Sequence, residues 1–157
     1  MDSYLVLKLL HILSAVVLAG TGTGIAFFMF MASRSSNTEA IAVTASHVVL
    51  ADWLFTAPAV VVQFITGVLL MMKLGFSFTS PWFLVVISLF VFIGACWIPV
   101  VVIQYKLKQL ADASRGRGEV TPEFKRLMRW WTLLGIPAFT AILVIFVLMV
   151  FKPLPLA

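Results

Sequence analysis

Long apolar runs separated by short polar interruptions set the pattern of this chain. The first reads LVLKLLHILSAVVLAGTGTGIAFFMFMA. A helix needs about 20 apolar residues to cross a bilayer. Four segments meet that length, near 4–32, 48–72, 82–104 and 130–151. Short connections between such segments make them antiparallel neighbours. The pattern therefore predicts an all-α fold: a four-transmembrane-helix antiparallel up-down bundle, a single membrane domain over 1–157. The first run is far longer than the apolar stretch of a signal peptide, and Asp2 replaces the usual basic start, so it reads as a retained span.

Local signals refine the elements. In SRSSNTEA, Asn37 or Thr38 caps the next helix, with Glu39 favourable in its first turn. AIAVTASHVVLADW reads as an amphipathic approach at the inner interface that runs into the second span. Pro58 is placed to kink that span, and Gly67 permits close packing. LGFSFTSP is a turn, followed by Trp82 at headgroup level. The third span carries Pro99 near its inner end, and ASRGRGEVTP follows as a loop. Thr121, Pro122 and Glu123 form a helix start, so the fourth helix begins outside the membrane and enters it at Arg129–Trp131. Pro137 is placed to bend it, and Lys152–Pro153 ends it.

Composition agrees with this organisation. Hydrophobic residues make up 62% of the chain and charged ones 11%, against about 45–50% and about 25% in soluble domains. The net charge of +5 is unevenly placed. Lys106, Lys108, Arg115, Arg117, Lys125, Arg126 and Arg129 follow the third span, and Arg34 follows the first. The opposite side has Lys8, Lys73 and Lys152. The positive-inside rule puts both basic loops in the cytoplasm and both termini outside. Anionic lipid headgroups are the partners this implies, and not nucleic acid. The lone cysteine, Cys96, lies within the third span and reads as a small buried hydrophobe.

Candidate chemistry begins with His11, an imidazole inside a span. Such a residue is costly in hydrocarbon and marks a functional site by default, and imidazole is a common ligand of haem iron and other metals. Helical spacing places Ala15, Ala19, Gly22 and Ala26 on its face. This small-residue stripe either packs closely against another helix or leaves a flat gap for a planar ring. His11 lies roughly 10 Å below the outer surface at 1.5 Å per residue. Gln63 and Thr66 in the second span and Ser88 in the third reach similar depth, with Lys152 at the outer end of the fourth. Met71 and Met149 are soft candidates for a second axial ligand.

The inner half holds His47, Asp52 and Trp53. A buried carboxylate needs a partner or a proton. Pairing with Arg129, at the same level of the fourth helix, is the first reading for Asp52, and a proton relay is the second. His47 falls roughly 20 Å along the axis from His11, so one iron does not reach both. It is an interfacial polar residue or serves a second site. No C-x-x-C, C-x-x-C-H, H-x-x-x-H or E-x-x-H pattern occurs, so a zinc site and covalent haem are unsupported. TGTG lies inside a span and is no phosphate loop.

LKLLHILSAVVLAG, LADWLFTAPAVVVQFITG, RWWTLLGIPAF and LMVFKP together resemble a bacterial family of predicted integral membrane proteins of unknown function. This implies a bacterial inner (plasma) membrane location. The start and finish are more distantly similar to HemJ, a membrane protoporphyrinogen oxidase that binds haem b, and to the copper-linked CopD membrane domain. In HemJ a first-span histidine and a terminal lysine are essential, and they correspond to His11 and Lys152. The resemblance implies haem b ligated at His11, Lys152 against a propionate or substrate carboxylate, Gln63 and Ser88 beside them, and a quinone or tetrapyrrole as redox partner. Two alternatives stand beside it. One is a copper or small-solute transport or assembly component using His11 and outer methionines. The other is a structural subunit without cofactor, as a single copy or a homo-oligomer.

Overall fold

The structure, a computed structural model, describes residues 2–155. Helix α1 spans Ser3–Arg34, α2 Thr38–Ala51, α3 Ala57–Leu74, α4 Pro81–Ala113 and α5 Pro122–Phe151. A π-helical turn, Asp52–Thr56, joins α2 to α3 without a break in the helical path. Four helical stretches are therefore long and apolar enough to cross a membrane. There is no strand among the described residues.

The starts follow the capping chemistry of the sequence. Asn37 accepts from the Ala40 amide at 3.1 Å. Ser80 and Thr121 cap α4 and α5, each with proline in the first turn. Gly75 ends α3 in the left-handed region, φ 68°, which only glycine enters without steric cost. Lys152 ends α5 in the same region, φ 43°, and lays its ammonium 5.2 Å from the Phe76 ring centre. Two helices exceed the sequence expectation. α1 reaches Arg34, and α4 continues past Gln104 to Ala113, taking in the first residues of the expected loop.

Neither Pro99 nor Pro137 interrupts its helix. The irregularity expected at Pro58 falls one turn earlier, as the π-turn. Proline has no N–H to offer the carbonyl four residues back, and one extra residue in the preceding turn accommodates the mismatch. Trp82 is buried against α5, and its indole N–H donates to the Leu148 carbonyl at 2.8 Å. That oxygen lies in the last turn of α5 and also accepts from the Lys152 amide at 3.1 Å.

The core sits at one end. Ile41, Ala42 and Ala45 of α2 pack with Leu107 and Ala111 of α4, Phe124 and Met128 of α5, and Met29 of α1. Ile41, Ala42, Leu107, Ala111 and Phe124 are almost wholly covered. Many of these residues lie beyond the expected membrane boundary, at the basic end, where water makes burial favourable. Along the spans, large apolar residues such as Leu13, Phe28, Ile98 and Val150 face outward, as lipid allows. In the other half the helices pair as α1 with α3 and α4 with α5, while α3 and α4 keep their backbones apart. Phe64 and Phe90 stack across that divide, ring centres 5.9 Å apart.

Candidate functional site

Two polar groups lie inside the bundle. The first centres on His11. Its Nδ1 is 2.9 Å from Thr66 Oγ1, and its Nε2 is 3.0 Å from Gln63 Nε2. The Thr66 hydroxyl donates to the Val62 carbonyl at 2.6 Å, so it accepts at its oxygen from His11 Nδ1–H. The Gln63 amide then donates to the bare His11 Nε2. Ser14 Oγ closes the circuit by donating to Gln63 Oε1 at 2.5 Å. With the Gln63 amide so turned, a neutral Nδ1–H imidazole satisfies both ring nitrogens, and the one Ser14 proton is shared between Gln63 Oε1 and the His11 carbonyl, 3.0 Å away. Gly67 completes the fit: a Cβ there would stand 3.3 Å from His11 Cε1, so the missing side chain is what admits the ring.

The structure thus brings His11, Gln63 and Thr66 together. Ser14 joins them, and the sequence reading missed it, although its spacing of three from His11 puts it on the same helix face. Ser88 does not join. It is exposed, and its hydroxyl returns to the Leu84 carbonyl of its own helix. Lys152 lies on Phe76 and makes no hydrogen bond to the group. The stripe beyond His11 is not closely packed at Gly22, where no other part of the fold lies within 4 Å of a Cβ position.

A haem iron needs one imidazole nitrogen free and an open face beside the ring. Here Gln63 holds Nε2, Thr66 holds Nδ1, and Gly67 lies against the carbon between them. In this arrangement His11 and its neighbours do not fit a haem. Among the described residues, no three His, Cys, Asp or Glu side chains gather as a metal site.

The second group lies in the other half of the bundle, at the π-turn. Asp52 and Thr56, at its two ends, are buried, as is Gln104 of α4. Thr56, Gln104 and Trp97 stand close to the carboxylate, yet no bond of proper length and alignment closes. Asp52 Oδ2, Thr56 Oγ1, Trp97 Nε1 and Gln104 Oε1 are all buried without a partner. Such atoms are rare in folded proteins and each asks for an explanation. Beside them opens an apolar recess of about 230 Å³, lined by Asp52, Trp53, Ala57, Trp97, Ile98, Val101 and Val102. Trp53 braces its rim by donating to Tyr105 Oη at 2.6 Å.

The expected Asp52–Arg129 ion pair is not formed. Arg129 is exposed on α5 and lines a different groove, between α1 and α5. Asp52 points toward α4 instead, because the π-turn sets its direction independently of α3. His47 is exposed on α2, near the basic end.

This is a helical, multi-pass chain with polar groups held inside it, and its sequence matches the description "Predicted integral membrane protein (DUF2269)" over residues 5–153. The chain belongs to the DUF2269 family. That family has no assigned function, so membership establishes the membrane character and leaves the chemistry to the residues. No curated protein and no solved structure matches the chain.

Proposed function

We propose that this DUF2269 protein binds a lipid-soluble quinone at Asp52, in the bacterial inner membrane, with its basic loops in the cytoplasm and both termini in the periplasm. The observation that carries the reading is the set of four buried, unpartnered polar atoms at the π-turn beside an apolar recess. Asp52 and Trp97 belong to the wall of that recess, which is otherwise apolar, while Thr56 and Gln104 stand behind them against the carboxylate; small-molecule sites are mostly apolar with a few polar groups of this kind. The set contains two donors, Thr56 O–H and Trp97 N–H, and two acceptors, Asp52 Oδ2 and Gln104 Oε1. A turn of the Trp97 and Asp52 side chains into the recess lets a quinone carbonyl accept from the first and a quinol hydroxyl donate to the second. The recess has room for one ring, with Ile98 and Val102 leading an isoprenoid tail toward lipid.

Any redox role then belongs to the guest, and the protein's part is to hold and orient its ring. His11, with Gln63, Thr66 and Ser14, is on this reading a clasp between α1 and α3. Titration of the detergent-purified protein with a short-tailed ubiquinone, followed by quenching of tryptophan fluorescence, tests the proposal. Saturable quenching is expected, weakened about tenfold or more in Asp52→Asn or Trp97→Phe, since losing a partner of a buried polar group costs about 1–3 kcal/mol, and unchanged in His11→Ala. Equal quenching in all variants overturns it. So does a Soret band in the purified protein that His11→Ala abolishes, which instead supports haem b at His11. Copper bound to a colourless protein supports the transport or assembly reading.

A further inference from the structure

A second recess lies at the inner ends of α1 and α5, lined by Phe30, Ser33, Phe124, Lys125, Met128, Arg129, Thr132 and Leu133. Its volume is about 450 Å³. We propose that this groove binds one anionic phospholipid of the inner leaflet, its phosphate between three cations and an acyl chain along the apolar floor.

The cations come from two helices. Lys125 and Arg129 are four residues apart, so they stand on one face of α5. Arg34 of α1 stands beside the groove and does not line it: its guanidinium lies 5.4 Å from the ring centre of Phe30, a residue of the groove wall. All three are exposed, and none forms an ion pair among the described residues. Glu39 and Asp112 both bind Arg115, and Glu123, two residues from Lys125, is on a different side of α5. Three like charges around one recess repel each other unless an anion joins them.

The floor fixes what kind of anion. Phe30, Met128 and Leu133 supply apolar surface that a free phosphate or a small acid does not use. Leu133 and Trp130 are exposed on the next turn toward the span, so the groove continues into the depth of the acyl chains. Ser33 and Thr132 donate to carbonyls of their own helices, which leaves their oxygens as acceptors only. Binding therefore rests on charge and apolar contact, and the headgroup is recognised as an anion and not by a particular sugar or amine.

Native mass spectrometry of the full chain, released from detergent with phosphatidylglycerol or phosphatidylcholine added, tests this. Phosphatidylglycerol is expected to bind about tenfold or more tightly than phosphatidylcholine, given that each cation near an anionic surface contributes roughly fivefold. The triple variant Arg34→Gln, Lys125→Gln, Arg129→Gln is expected to lose that preference. A control with equal charge loss elsewhere, Lys106→Gln, Arg117→Gln, Arg126→Gln, is expected to keep it. Loss in both variants means general attraction to a basic surface and overturns the site. Displacement of the lipid by millimolar inorganic phosphate means a free-phosphate site and overturns it too. If the triple variant unfolds, Arg129→Gln alone is read, and a preference unchanged by that substitution also sinks the proposal.

Discussion

His11 spends both ring nitrogens on α3, so its replacement removes one hydrogen bond from Thr66 and leaves the Gln63 amide N–H without its acceptor. Hydrogen bonds between membrane helices contribute about 0.6 kcal/mol on average and up to about 1.7, and an orphaned polar group adds its own cost. His11→Ala is therefore expected to lower stability by about 1–3 kcal/mol, measured by unfolding of the detergent-solubilised protein in sodium dodecyl sulfate. Gly67→Val is expected to lower it by a similar amount, since overfilling a packed position costs about 1–3 kcal/mol and the ring already lies at the limit of contact. The two effects should not add, because both open the same contact. At this scale the sequence was informative about depth and silent about direction. Counting residues from the helix ends put His11, Gln63, Thr66 and Ser88 at one level. Only the rotation of each helix separates Gln63, which faces His11, from Ser88, which does not.

Among the elements, the π-turn at Asp52–Thr56 decides more than its length suggests. One extra residue rotates everything after it by about 100° relative to a straight helix. It lets Asp52 face α4 while Gln63 and Thr66, on the same continuous stretch, face α1. Deleting the exposed Leu54 is expected to restore a regular turn and take Gln63 and Thr66 away from His11. Quinone binding at Asp52 should fall with it, and His11→Ala should then cost little further stability in the same unfolding assay. Caps at Asn37 and Thr121 were legible because their chemistry is local. The π-turn was not, since Pro58 announces an irregularity without saying whether it will be a kink or an inserted residue. The partner of Trp82 was not legible for a related reason: the Leu148 carbonyl that captures its indole belongs to a helix more than 60 residues away.

The whole molecule divides by solvent. Its best-covered residues gather at the basic end, where α2, the tail of α4 and the head of α5 project beyond the spans. Leu107→Ala, at a fully covered position, is expected to cost about 2–5 kcal/mol as a cavity in a water-facing core. Leu143→Ala, on an exposed face of α5, should change stability little in the same measurement. The membrane class, the number of spans and the charge asymmetry were all readable from hydropathy and loops, because those depend on each segment alone. Which helices pair was not, since lipid-facing and partner-facing positions are equally apolar here. The unpartnered atoms around Asp52 escaped for the same reason: a residue's need for a partner appears only once its neighbours are in place.

Two leaves tied at both ends can part only between the ties. The leaf of α1 with α3 and the leaf of α4 with α5 meet in the covered core of the basic end, and again at the far end through the turn after Leu74 and the Lys152 ammonium over the Phe76 ring. Any give on the α3–α4 side is therefore confined to mid-span, where the Phe64–Phe90 stack bridges the seam.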